Sequence, residues 1–164
     1  MRLQTERLIL EPWKAEDWTA FRPIATDPEV VRYISGGVPW TDDQIKDFLA
    51  RQIAFYETHS ITRWKLLEGD RVIGFCGANR MHIEGVDELE LGWWVARDRW
   101  GQGFATEAAR AALKDLQTRC YVGRVISIIH VENQKSMAVA RRLGMKMERE
   151  TVFREVPVQI FSTI

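Results

Sequence analysis

Apolar residues along the 164-residue chain recur every second position in some segments and every third or fourth in others, which predicts strands interleaved with helices. The strand-like runs are residues 5–13, 61–67, 71–78, 89–95, 125–131, 145–153 and 156–164. The helical runs are residues 15–24, 27–33, 41–56, 105–116 and 133–143. Strands outnumber the helices that interrupt them, so the pattern favours a mixed sheet flanked by helices.

Capping and turn residues sharpen several of these boundaries. Thr41 and Gln44 have the spacing of a capping box, and Asn133 is a suitable N-cap for the last helix. Gly144 follows that helix at a position where a positive φ is common. Residues 68–70 suit a hairpin between two strands, whereas the polar residues 81–87 predict a plain connection.

One stretch near the middle of the chain carries a candidate binding loop. Leu89 to Val95 has the composition of a buried strand, a polar loop closes on Gly101, Gln102 and Gly103, and an alanine-rich helix follows. Such a loop presents backbone N–H groups to an anion at a helix N-terminus. It is equally compatible with a glycine-bearing connection that binds nothing. A βαβ crossover would bring this loop and Asn133 to the same sheet edge, where ligands bind in such folds.

Composition and charge narrow the class of protein. The length predicts one domain over residues 1–164. The 23 basic residues balance the 23 acidic ones, which argues against a nucleic-acid or anionic-membrane partner. Cys76 and Cys120 lack metal-ligand spacing, and the N-terminus does not have the pattern of a signal peptide. We therefore expect a cytoplasmic protein with free thiols.

Several catalytic classes lack their sequence signatures. No P-loop string occurs, and Thr106 stands where a dinucleotide fingerprint requires glycine. His59, His82 and His130 are scattered, so we expect no metal site. Nucleophilic hydrolysis would require a Gly-x-Ser-x-Gly elbow, which is absent, and Cys76 lies within a strand.

The loop also carries a family resemblance. The stretch Trp100-Gly101-Gln102-Gly103-Phe104-Ala105 resembles the Arg/Gln-x-x-Gly-x-Gly/Ala signature of the GNAT superfamily of acyl-CoA-dependent N-acetyltransferases. Trp100 departs from the first position of that signature. A tryptophan there, after Glu90-Leu91-Gly92-Trp93-Trp94, is similar to the Rim-type branch of ribosomal-protein N-terminal acetyltransferase-like enzymes. Further motifs of this branch are matched in order by residues 5–10, 133–136 and 143–145.

The resemblance implies a fold and a cofactor site. The implied fold is an α/β (α+β mixed) GNAT-like sheet of about seven mostly antiparallel strands, with a splay between strands 89–95 and 125–131. The implied co-substrate is acetyl-CoA, with its pantetheine arm on the backbone of Trp93, Trp94 and Val95. Asn133 would bind the pantetheine or acetyl end as well as cap its helix. The pyrophosphate would be held by the amides of Gly101, Gln102, Gly103, Phe104, Ala105 and Thr106.

The resemblance also implies catalytic residues. Many members place a tyrosine acid on the last helix, where this chain has Ala140. Ser136 is the substitute that the Rim-type branch suggests for protonating the thiolate, although a serine in a first helical turn often bonds only the backbone. Glu90 alternates with apolar residues and is the candidate base, provided that its carboxylate is buried without an arginine partner. Otherwise a water chain would remove the proton.

The implied function is therefore transfer of an acetyl group from acetyl-CoA to a primary amine, on a protein or peptide N-terminus or on a small molecule. The alternative is a non-catalytic acyl-CoA sensor or interaction module on the same fold.

Three cations, Arg97, Arg99 and Lys135, are candidates for the 3′-phosphate, and each is equally well explained as a solvated surface charge. Exposed edge strands leave room for a homodimer. The sequence does not identify the acceptor.

Overall fold

In a computed structural model that describes residues Met1–Ile164, eight strands form one sheet in the order β1-β2-β3-β4-β5-β6-β8-β7. The strands are β1 (Leu3–Gln4), β2 (Ile9–Glu11), β3 (Arg63–Glu68), β4 (Arg71–Ile83), β5 (Val86–Val95), β6 (Ile126–His130), β7 (Lys146–Phe153) and β8 (Val156–Ser162). Every neighbouring pair is antiparallel except β5 and β6, which are parallel. The predicted mixed, mostly antiparallel sheet is confirmed.

Four helices cover the two faces of this sheet. They are α1 (Trp18–Ala25), α2 (Asp42–His59), α3 (Phe104–Thr118) and α4 (Gln134–Arg142). Helices α1 and α2 pack an aromatic cluster against one face, and α3 packs an alanine-rich stripe against the other. The buried side of α4 packs on β6 and β8. No helix combines the length and the apolar composition that crossing a bilayer requires.

The predicted caps form as the sequence indicates. Thr41 Oγ1 accepts from the N–H of Gln44 at 3.1 Å, and Gln44 Oε1 accepts from the N–H of Thr41 at 2.9 Å. Asn133 Oδ1 accepts from the N–H of Ser136 at 3.2 Å. Gly144 has a φ of +85°, as the end of α4 requires. Each cap satisfies N–H or C=O groups that a helix terminus leaves unpaired.

Three local predictions are wrong. Residues 27–33 form successive turns rather than a helix, although the Asp27 carboxylate accepts from the Glu29 N–H as a cap would and also from Arg97. The strand predicted within 5–13 is present only as β2, which ends before Pro12, and residues 5–8 instead form the turn that Thr5 and Leu8 close between β1 and β2. Residues 81–87 are not a plain connection, since β4 and β5 continue to a two-residue turn with positive φ at both positions.

Strands β5 and β6 separate soon after they meet. Their only paired residues are Glu90 and Ile126. Beyond that pair, a side chain replaces the backbone hydrogen bond, because Ser127 Oγ donates to the Leu91 carbonyl at 2.7 Å. The predicted splay is confirmed. Toward the carboxyl ends of the two strands, the sheet therefore contains a gap, which we call the β5–β6 gap.

Candidate functional site

The β5–β6 gap exposes part of the β5 backbone. The N–H of Ala96 donates to Ile73 on the β4 side, and backbone groups of alternate residues point the same way, so Trp94 also faces β4. Trp93 and Val95 consequently turn their N–H and C=O groups toward the gap. Trp94 thus does not offer its backbone there, although the sequence placed it in the same site.

One carbonyl at the gap already has a partner. The indole Nε1 of Trp100 donates to the Val95 carbonyl at 2.7 Å. The N–H and C=O of Trp93 and the N–H of Val95 remain available to an extended ligand. This is the hydrogen-bonding pattern that a pantetheine chain, with its two amides, is able to match.

The loop after β5 carries a free helix N-terminus to the mouth of the gap. Gly101 and Gly103 have φ values of +76° and +81°, and Gly103 is the N-cap of α3 without any side-chain cap. The first-turn amides of Phe104, Ala105 and Thr106 therefore lack intrahelical acceptors. Gln102 is exposed beside them, and its side chain lies 3.4 Å from the Asp98 carbonyl. The loop has the geometry of an anion site.

The N-terminus of α4 approaches the same mouth, because β5 and β6 are parallel and their carboxyl ends share one sheet edge. Asn133 is held as the cap of α4 and its Nδ2 group makes no hydrogen bond within the protein. The Ser136 hydroxyl likewise makes none, so it is not engaged by the backbone. Ala140 is fully buried against β6, at the position where a tyrosine acid was considered.

Glu90 does not meet the condition set for a general base. Its side chain is 7% exposed, but the guanidinium of Arg63, itself 14% exposed, donates to its carboxylate. A carboxylate that is buried without an arginine partner, which is the condition for Glu90 as the base, is therefore not what the structure shows. The sequence contains no signal that would pair two residues on β3 and β5.

The three candidate cations for a 3′-phosphate differ in their surroundings. Arg97 donates twice to Asp27, at 3.0 and 3.1 Å, and Arg99 donates to Glu68 at 2.7 Å. Lys135 has no carboxylate partner, and its Nζ lies 4.5 Å from the centre of the Trp100 ring. Lys135 is therefore the one of the three whose charge is not neutralised.

A cation that the sequence analysis missed lies at the glycine loop. The Arg7 Nη2 atom is 3.5 Å from the position that a Cβ atom would take on Gly103, and its guanidinium lies 4.1 Å from the Phe104 ring centre. Arg7 Nε donates to Glu107 Oε1 at 2.8 Å. Residue 7 and the loop are nearly a hundred positions apart, and only the tertiary structure joins them.

Glu107, in the first turn of α3, is the anchor of this arrangement. Burial opposes ionisation of its carboxyl group, but hydrogen bonds from Thr5 and Arg7, together with the Arg7 charge, outweigh it and lower the pKa of Glu107 below its ordinary value. The carboxylate is thus charged at neutral pH.

The opposite face of the gap is aromatic. The Trp94 side chain packs on Phe21 and Trp40, with ring centres 6.0 and 4.9 Å apart. The segment between α1 and α2 reaches β6, where Tyr33 and His130 have ring centres 5.0 Å apart. These rings line the side of the gap that faces away from α3.

Comparison with known proteins gives a consistent result. Residues 7–146 match the family described as acetyltransferase (GNAT) domain. A Bacillus licheniformis protein named uncharacterized N-acetyltransferase p20 is 30% identical over 149 residues, covering 89% of this chain and 83% of its own.

Solved structures agree in fold. An acetyltransferase from Agrobacterium tumefaciens superposes with a TM-score of 0.85 at 24% identity, over 99% of this chain and 93% of that one. RimL, a ribosomal L7/L12 alpha-N-protein acetyltransferase solved in complex with coenzyme A, superposes with a TM-score of 0.83 at 15% identity, over 100% and 98% of the two chains.

Proposed function

Because the chain belongs to the acetyltransferase (GNAT) domain family, we propose that it transfers an acetyl group from acetyl-CoA to a primary amine. The observation that carries this proposal is the β5–β6 gap with the uncapped N-terminus of α3 at its mouth. An extended chain that ends in a pyrophosphate fits both features at once, and acetyl-CoA has that form. We take residues 1–164 as a single catalytic unit, since one sheet runs from Leu3 to Ser162.

In this proposal, each part of the co-substrate has its own protein groups. The pantetheine amides pair with the free N–H and C=O of Trp93, which leaves the N–H of Val95 for the thioester carbonyl. The pyrophosphate accepts hydrogen bonds from the amides of residues 101–106. Asn133 contacts the acetyl end with its free Nδ2 group, and Lys135 is the candidate partner for the 3′-phosphate because Arg97 and Arg99 are already paired.

The reaction proposed is direct transfer. A neutral amine attacks the thioester carbonyl, and the developing oxyanion accepts a hydrogen bond from the Val95 N–H. The C–S bond then breaks, the Ser136 hydroxyl donates its proton to the departing thiolate, and the proton lost by the ammonium is taken up by water and returned to Ser136. Water is favoured over Glu90 as the proton acceptor because Arg63 holds the Glu90 carboxylate. Holding amine and thioester together supplies much of the rate.

We propose a Rim-type enzyme whose acceptor is a protein or peptide N-terminus, with a small-molecule amine as the other acceptor class. The motif from Trp100 to Ala109 supports the branch, and the fold shared with RimL is compatible with it. The acceptor would enter on the aromatic face, between Tyr33 and Trp94. That route leaves the α3 side of the gap to the coenzyme.

Replacing Gly103 with valine tests the donor site. Valine has a strong penalty for the left-handed conformation that Gly103 adopts, so the loop amides move and coenzyme A binding measured by calorimetry is expected to fall by at least about a hundredfold. Gly85→Val is the matched control, because Gly85 has nearly the same φ, +80°, in the remote β4–β5 turn. Unchanged affinity in Gly103→Val would remove the pyrophosphate loop from the proposal.

A panel of amine acceptors, assayed by release of free thiol from acetyl-CoA, separates the enzyme from the alternative function. Glu90 paired with Arg63 and alanine at position 140 are the features that favour a non-catalytic acyl-CoA sensor. Turnover with N-terminal peptides or small amines supports the transferase. Tight coenzyme binding without turnover on any acceptor supports the sensor.

A further inference from the structure

Arg7 is rigidly held beside the glycine loop. The Glu107 carboxylate accepts from Thr5 Oγ1 at 2.5 Å, from the Arg7 backbone N–H at 3.0 Å and from Arg7 Nε at 2.8 Å. The Arg7 guanidinium also stacks on the Phe104 ring. These contacts join the β1–β2 turn to the first turn of α3, so the position of the cation is fixed relative to the loop.

Among the guanidinium nitrogens, only Nε donates to Glu107, whereas neither Nη1 nor Nη2 makes a hydrogen bond within the protein. Nη2 is the atom that lies 3.5 Å from the Cβ position of Gly103. The side chain is 41% exposed, so a ligand in solution has access to these donors. A guanidinium fork of this kind matches phosphate oxygens geometrically.

The negative charge of Glu107 also affects whether an anion binds at the N-terminus of α3. A carboxylate in the first turn of a helix stabilises the helix dipole, but it also repels a polyanion at the same N-terminus. Arg7 pairs with that carboxylate through Nε, and its terminal nitrogens keep their donors free beside the glycine loop. An isolated Glu107 would oppose pyrophosphate binding.

We propose that Arg7 is a binding residue for the pyrophosphate of the acyl-CoA donor, held in place by Glu107 and adding a charged contact to the loop amides. This inference rests on the proposed function, because it assumes coenzyme A as the ligand. It concerns the pyrophosphate alone, so it does not depend on the 3′-phosphate or on the acceptor.

The test compares three ligands by calorimetry: coenzyme A, dephospho-coenzyme A, which lacks the 3′-phosphate, and pantetheine, which lacks all phosphates. Arg7→Gln is expected to weaken the first two by about 10- to 100-fold, the range for a lost charged hydrogen bond, and to leave pantetheine unchanged. Arg7→Lys keeps the charge without the fork and is expected to give an intermediate loss. Arg2→Gln is the matched control, because Arg2 is an exposed arginine with no ion pair near the same turn.

A double variant separates contact from neutralisation. Arg7→Gln with Glu107→Gln removes both charges, so any repulsion from an unpaired Glu107 disappears. Direct contact predicts that the double variant still binds both phosphorylated ligands about tenfold or more weakly than the wild type. Recovery of wild-type affinity in the double variant, unchanged affinity in Arg7→Gln, or an equal loss for pantetheine would each overturn the inference. If the wild type itself does not bind coenzyme A, the proposed function is overturned along with it.

Discussion

The pair of Arg63 and Glu90 shows how one neighbour changes the chemistry open to a residue. Both side chains are largely buried, and removing either partner leaves the other charge uncompensated. The pair also borders Gly92, where a Cβ atom would lie 2.7 Å from Arg63 Nη1. Glu90 is therefore a structural element of the gap wall, which explains an acidic residue within the otherwise apolar run from Leu89 to Val95.

Substitutions at positions 90 and 136 are expected to have different effects once an acceptor is known. Ser136→Ala removes the proposed acid and is expected to lower kcat by about a hundredfold, with Gln134→Ala, an exposed neighbour on α4, as the control. Glu90→Gln is expected to lower the melting temperature and to change kcat by less than about tenfold, because it breaks an ion pair rather than removing a base. A hundredfold loss of kcat in Glu90→Gln with an altered pH profile would restore Glu90 as the base. Unimpaired turnover in both variants would leave proximity as the main catalytic effect.

At the scale of elements, α3 is attached at its N-terminus by Glu107 as well as along its alanine stripe. The pKa of Glu107 is lowered in the folded protein, so its ionised form stabilises the fold at neutral pH and this contribution disappears as the pH falls through the acidic range. The attachment of α3 to the β1–β2 turn is therefore sensitive to acid.

Urea unfolding at several pH values measures this contribution. The wild type is expected to lose roughly 1 kcal/mol of unfolding free energy between about pH 5 and pH 3 through Glu107, and Glu107→Gln is expected to show a correspondingly shallower dependence. Glu57→Gln is the control, since Glu57 is an exposed glutamate on α2 without an ion pair. The same pH dependence in Glu107→Gln and the wild type would contradict this assignment.

The elements that could be predicted from the sequence are those specified by local interactions. The capping box at Thr41 and the cap at Asn133 depend on residues three positions apart, and both form. The segment 27–33 shows the limit of such signals: Asp27 accepts from the Glu29 N–H as a cap would, yet turns follow, and its bond with Arg97, seventy positions away, has no local signal. The donor loop was visible as a motif, whereas Arg7 beside it depends on the packing of β1, β2 and α3. Contacts between residues that are close in sequence can therefore be predicted from one sequence, whereas contacts between distant residues cannot.

At the scale of the whole molecule, the two cysteines differ in how far the fold must open before solvent reaches the thiol. Cys76 is completely buried on β4, and burial raises the pKa of its thiol well above the ordinary range. Cys120, after α3, is half-buried, and the smaller burial also raises the pKa of its thiol. Only Cys120 is accessible without unfolding of the sheet.

Thiol labelling with an aromatic disulfide at mildly alkaline pH is expected to modify Cys120 in the native state and Cys76 only after global unfolding. The Cys120→Ser variant is the control and is expected to lose the fast phase entirely. Fast labelling of Cys76 in that variant would show that the central strands open locally.

The closed end of the β5–β6 gap is pinned more firmly than its mouth. The Arg124 guanidinium donates to Glu88 on β5, to Glu148 on β7 and to the Ile164 carbonyl. The hydrogen bond to Glu148 raises the pKa of Arg124 most, followed by the one to Glu88. Beyond this cluster, the hydrogen bonds between β5 and β6 are limited to the pairing of Glu90 with Ile126 and the bond from the Ser127 hydroxyl to the Leu91 carbonyl.

The sheet therefore consists of two parts, one from β1 to β5 and the other of β6, β8 and β7, which are joined at the short pairing of β5 with β6. Between the carboxyl ends of β5 and β6, no backbone ladder joins these two parts. A ligand seated in the gap would contact both parts and so connect them where the backbone does not.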